Sequence, residues 1–270
     1  MALDNPAFSR NEAFSKQGAV AAAQDVSASE LQEMYERPTT LPDREVMTYD
    51  DALAKSALSF GVLLVGAAIG WFTAVSMPWL WIGAALVGFV LGLVNAFKRE
   101  PSPALILAYA AVQGIFVGAI SQWYELQFGG GIVGQAVIAT LVVVGVTLAL
   151  FASGKIRASA RATKIFLIAM VGYAVFSLVN LGLMLFGATD DPWGLRGAEI
   201  FGIPWGIIIG VLVVIMAAYS LVLDFDFIQQ GVRNRAPKKY AWTGAFGVMV
   251  TVVWLYLEIL RILAIAQSSD

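Results

Sequence analysis

Seven stretches of this chain are predominantly apolar, at 57–75, 79–97, 104–123, 132–152, 164–186, 203–225 and 242–266. Each has roughly the 20 residues a helix needs to cross a hydrocarbon layer of about 30 Å. Backbone N–H and C=O groups in lipid must be satisfied internally, so such segments are helices or strands of a closed barrel. The polar–apolar alternation of barrel strands is missing. The expected fold class is therefore an all-α membrane protein, a seven-transmembrane-helix bundle embedded in a lipid bilayer. Composition agrees, with 59% apolar and 13% charged residues among 270. Soluble domains have roughly 45–50% and 25%. Pro78, Pro103 and Pro204 mark expected starts of helices 2, 3 and 6, where a missing N–H costs little.

Charges in the connections orient the bundle. The 2–3, 4–5 and 6–7 connections carry ten Lys and Arg residues: Lys98, Arg99, Lys155, Arg157, Arg161, Lys164, Arg233, Arg235, Lys238 and Lys239. The 1–2, 3–4 and 5–6 connections carry one, Arg196. The positive-inside rule then places the N-terminus in the cytoplasm and the C-terminus outside.

Residues 1–50 read as a separate acidic, disordered cytoplasmic tail, preceding a transmembrane domain at 51–270. They hold 9 of the 19 acidic residues and repeat the pattern N-x-A-F-S at Asn5–Ser9 and Asn11–Ser15. Thr48 and Asp51 have capping-box spacing, which predicts a helix beginning near Tyr49. The chain has no Cys and no His. Thiolate and His-ligated metal sites, disulfides and Ser-His-Asp chemistry are excluded, and no enzyme constellation is visible. A net charge of −2 argues against a nucleic-acid partner. No cofactor is expected.

Small residues recur at G-x-x-x-G spacing at Gly66/Gly70, Gly88/Gly92, Gly114/Gly118 and Gly206/Gly210. Such pairs let helices approach closely in lipid. Packing within one chain is expected, and a monomer. Ionisable groups within the spans are rare: Asp224 and Asp226 on helix 6, Glu258 and Arg261 on helix 7. Charges at that depth cost about 2.5–3.5 kcal/mol and mark ion or proton paths. Asp224 and Asp226 point about 200° apart on a helix. Glu258 and Arg261, at i and i+3, can neutralise each other, or Arg261 can snorkel outward. Asn95, Gln113, Gln135, Asn180 and Tyr219 read as helix–helix hydrogen bonds or as cavity lining.

Helix 6 ends Leu223-Asp224-Phe225-Asp226-Phe227-Ile228, and helix 7 contains Leu255-Tyr256-Leu257-Glu258-Ile259-Leu260. This pair of segments resembles the bacterial branch of the Bax inhibitor-1 (transmembrane BAX inhibitor motif) family from about residue 50 onward. The resemblance implies a central last helix and a location in a bacterial plasma (inner) membrane. It also implies a proton-sensitive latch between two facing carboxylates in a calcium leak pathway. Carried over by position, Asp224 is the helix-6 acid and Glu258 the helix-7 acid. Both are then Ca²⁺ ligands, with Asp226 beside them and Arg261 a modulator of the latch. Glu258 stands where the family pattern has Asp. On straight spans the two acids lie at different depths, and they meet only if helix 7 starts inside the cytoplasm or helix 6 runs long.

Three functions compete. The first is a pH-sensitive passive cation leak channel, for Ca²⁺. The second is a non-transporting regulator that binds other membrane proteins, such as a membrane protease, through its spans or residues 1–50. The third is a proton-coupled carrier of a small solute, which an inverted repeat would favour.

Overall fold

A computed structural model describes residues 45–268. The N-x-A-F-S repeats and residues 1–44 of the expected tail lie outside the described residues. Seven helices follow one another: α1 Tyr49–Thr73, α2 Pro78–Phe97, α3 Pro103–Phe128, α4 Ile132–Ala152, α5 Ala160–Leu185, α6 Trp205–Arg233 and α7 Ala241–Ser268. All seven are long and apolar enough to span a membrane. The α5–α6 connection contains a 3₁₀ turn at Gly194–Arg196 and a two-residue antiparallel hairpin, β1 Glu199–Ile200 with β2 Ile203–Pro204.

Local chemistry sets the ends. Thr48 Oγ1 accepts from the Asp51 N–H at 3.1 Å. The Asp51 carboxylate accepts from the Thr48 N–H at 3.2 Å. This reciprocal pair starts α1 at Tyr49, well before the apolar run. Pro78 and Pro103 are the first residues of α2 and α3. Pro204 is not in α6; it closes the hairpin and precedes Trp205. The ring fixes φ, and a pairing with Glu199 holds the residue in extended backbone. Helix α6 also runs on to Arg233, past the apolar limit at 225. Hydropathy falls there because Asp224, Asp226, Gln229 and Gln230 enter, but neither residue type breaks a helix.

The far end of α6 is held by the segment before α1. Met47 N–H donates to Ala236 O at 2.8 Å, and Lys238 N–H donates to Glu45 O at 2.8 Å. Met47 is buried against Ala52 and Ala241. Lys238 pairs with Glu45 at 3.0 Å and with Asp51 at 3.6 Å. Lys239 reaches Glu100 in the α2–α3 connection at 2.8 Å. The hydrogen bond from Lys239 holds the Glu100 carboxyl below its ordinary pKa.

Helices α1 and α3 form the closest pair of the bundle. A Cβ on Gly66 would overlap Ala111 O, and one on Gly70 would overlap Ile115 O. Reciprocally, a Cβ on Gly114 would overlap Leu63 O, and one on Gly118 would overlap Ala67 O. Four glycines thus bring two backbones into direct contact, where dispersion replaces the hydrophobic drive that lipid removes. Helix α7 is the most buried span and packs against α6, α1, α4 and α3. Helix α5 is the least buried.

Gly70→Val and Gly118→Val should each cost about 3 kcal/mol, the upper range for forced overpacking, because backbone atoms cannot yield. Gly61→Ala and Gly145→Ala meet nothing within 4 Å and should leave stability unchanged or slightly raised. Unfolding in detergent micelles measures both, and equal sensitivity at the two kinds of position would contradict the seam.

Candidate functional site

The ionisable residues of α6 and α7 fall into two clusters. In the first, the Asp224 carboxylate on α6 accepts from Thr251 Oγ1 on α7 at 2.7 Å. The Thr251 and Ser220 hydroxyls lie 3.2 Å apart. The other carboxylate oxygen lies against α7 where Gly247 has no side chain; a Cβ there would stand 2.6 Å away. Asp224 is half-buried. Among the described residues, no Lys or Arg forms an ion pair with it. Asp226 points elsewhere, as a two-residue step on a helix requires, and accepts from Gln230 at 2.5 Å.

In the second cluster, Glu258 on α7 is only 2% exposed. Its Oε2 accepts from Arg261 at 2.6 Å and from the Tyr173 hydroxyl on α5 at 2.7 Å. The same hydroxyl accepts from Arg261 at 3.0 Å and from Arg196 at 3.2 Å. Arg196 also donates to Ser177 Oγ at 3.0 Å. Its guanidinium lies over the rings of Tyr173 and Phe176, 5.4 and 5.5 Å from their centroids. A single carboxylate is thus paired with one guanidinium and linked through a shared phenol to a second.

The second cluster depends on a connection that faces inward. Asn180 on α5 donates to Trp193 O at 3.2 Å and accepts from the Leu195 N–H at 2.7 Å. Gly194 adopts φ +62, a left-handed conformation that glycine reaches without strain. Its missing Cβ also leaves room for the Asn180 carbonyl. The 3₁₀ turn is thereby fixed to α5, and Arg196 enters the bundle, 6% exposed.

Arg261 therefore neutralises Glu258 instead of snorkelling away. The structure does not bring Asp224 and Glu258 together. Thr251, the partner of Asp224, precedes Glu258 by seven residues, about 10.5 Å along the α7 axis. The long α6 lifts Asp224 less far than the latch needs, and each acid finds a nearer partner. The remaining polar candidates are helix–helix or helix-end bonds. Asn95 donates to Leu91 O and Leu105 O, Gln135 to Gly130 O, and Tyr219 pairs with Thr163 and Ser159. Gln113 lies beside Gly88.

Sequence reading missed Arg196, Tyr173 and Thr251. Arg196 carried a signal as the lone base of an otherwise acidic connection. Tyr173 and Thr251 look like ordinary span residues.

Removing one partner of a buried ion pair costs about 3–5 kcal/mol. Glu258→Gln should reach that range, because it leaves Arg196 and Arg261 facing each other. Arg261→Gln should cost less, because Arg196 and Tyr173 still compensate Glu258. Thermal unfolding of the two variants in detergent checks the order; the reverse order would show that Arg196 does not offset the carboxylate.

Comparison with known proteins places this architecture. A protein of Chlamydia muridarum (strain MoPn / Nigg), named only "Uncharacterized protein", is 33% identical over 153 residues. The match covers 55% of this chain and 62% of that relative. A family model described as Bax inhibitor 1 like matches residues 5–268. This multi-pass membrane protein belongs to the Bax inhibitor 1 like family.

Proposed function

We propose that the protein is a pH-sensitive passive cation pathway, with Ca²⁺ as the permeant ion. The observation that carries the reading is Asp224, a half-buried carboxylate within a span whose hydrogen-bond donor is a hydroxyl and which has no cationic partner among the described residues. Energetically costly charge of that kind marks ion paths. The oxygens of Asp224, Thr251 and Ser220 form a hard-donor group suited to Ca²⁺. Among the described residues no three acidic side chains converge. A passing Ca²⁺ ion therefore keeps much of its water, as a leak requires and a storage site does not.

Asp224 and Glu258 have different roles in this reading. Ionised Asp224 draws the cation, and proton uptake removes that charge. Flux therefore falls as pH falls. Glu258, tied to Arg261, Tyr173 and Arg196, holds the pathway shut further along α7 and modulates the same gate. The N-terminus and the basic connections face the cytoplasm of a bacterial cell, and the protein acts as a monomer.

Calcium entry into dye-loaded proteoliposomes tests this over roughly pH 5–8, the range in which most proteins are at their most stable. Wild type should conduct more at the upper end. Asp224→Asn should conduct less at every pH and lose the pH dependence, while Glu258→Gln should change the flux without abolishing its pH dependence. Folded protein that gives no flux above empty liposomes at any pH overturns the reading. Residues 1–50 would then serve as bait for a membrane-protein partner of a non-transporting regulator.

A further inference from the structure

The basic connections at one end of the bundle are not equivalent. Lys238 and Lys239 in the α6–α7 connection are neutralised by Glu45, Asp51 and Glu100. The α4–α5 connection has no such partners. Lys155, Arg157, Arg161 and Lys164 are all exposed there, and none forms an ion pair among the described residues. No Asp or Glu occurs between Glu125 and Asp190.

The placement of these cations is unfavourable on the protein's own terms. Arg161 lies in the first turn of α5 and Lys164 just beyond it, at the end where the helix dipole favours anions and opposes cations. No acidic residue occupies that turn. Arg157, though exposed, is engaged by the protein, lying over Phe151 with 4.7 Å to the ring centroid and donating to Gln229 at 3.2 Å. Its neighbours Lys155, Arg161 and Lys164 are left pointing to solvent. Directly below them, Ile165 and Ile168 are exposed, 63% and 65%, on the span least covered by protein. A strip of unpaired cations above bare aliphatic side chains matches the cross-section of an anionic phospholipid, phosphate above acyl chain.

We infer that the α4–α5 connection is a binding surface for anionic phospholipid headgroups, with Lys155, Arg161 and Lys164 as the phosphate-facing residues. The lipid supplies the counter-charge that the protein withholds from the start of α5. It also secures the one helix that protein contacts hold least. That helix carries Tyr173 and Asn180, so its seat governs whether the Glu258 cluster assembles. Near Arg161, Tyr219 of α6 bonds Ser159 and Thr163, which ties the lipid-facing turn to the bundle.

The test uses the purified full chain in mixed micelles, and its readout is thermal unfolding, independent of transport. Phosphatidylglycerol should raise the Tm of wild type by roughly 2–4 °C over phosphatidylcholine, the shift a modest stabilisation gives in a chain of this size. The variant Lys155→Gln/Arg161→Gln/Lys164→Gln should match wild type in phosphatidylcholine and lose the phosphatidylglycerol shift. Arg233→Gln/Arg235→Gln, at another pair of this rim with no ion pair among the described residues, should keep it. An equal shift in the triple variant, or none in wild type, overturns the inference. So does loss of the shift in the Arg233/Arg235 variant, or the same shift from inorganic phosphate alone, which would mean a free-anion site. Should the triple variant not fold, the wild-type shift itself decides. It must vanish near 1 M salt, where screening acts within about 3 Å, and a salt-insensitive shift rejects a headgroup contact.

Discussion

A charge carried into hydrocarbon has to find its compensation inside the protein, and that constraint organises this bundle. Glu258 is the case on which most depends. Arg261 alone would neutralise it from the same helix. The structure instead brings Tyr173 from α5 and, behind it, Arg196 from the α5–α6 connection. One phenol oxygen serves the carboxylate and both guanidiniums. Three parts of the chain are thereby joined at a point where lipid offers no alternative partner. Helix α5 has few other contacts with the bundle, so this polar junction, with the Asn180 bonds beside it, sets its position.

The opposite strategy holds α1 to α3. No charge is involved, and four glycines remove every atom that would keep the backbones apart. The two modes complement each other. Small residues give dense, undirected contact that resists sliding only weakly, whereas the Glu258 cluster has few atoms and strict directions. Between them, α7 packs against both the α1–α3 pair and α6. The segment at Glu45–Met47 closes the other end by fixing the α6–α7 connection.

Asp224 differs from Glu258 in what it lacks. A hydroxyl satisfies one oxygen, a glycine admits the other, and among the described residues no guanidinium pairs with it. A carboxylate arranged in this way can exchange a proton or meet a passing cation without first breaking an ion pair. Glu258 cannot. The two acids look alike in the sequence, yet their surroundings on one helix pair differ.

The sequence by itself determined the class of fold. Seven apolar runs without strand alternation admit only spanning helices, because hydrocarbon leaves the backbone no partner but itself. The cap at Thr48 and Asp51, the Pro starts of α2 and α3, the glycine seams and the Glu258–Arg261 pair were legible for the same reason: each depends on residues a few positions apart. The ends of α6 were less so, since Pro204 belongs to a hairpin and the helix outlasts its apolar run. What only the tertiary structure decided was which polar groups meet. Arg196 enters the bundle because Asn180 captures a distant turn, and Asp224 faces Thr251 because of how α6 and α7 are staggered. That stagger depends on side-chain packing along two whole helices and on the Met47 contact, none of which spacing along the chain encodes.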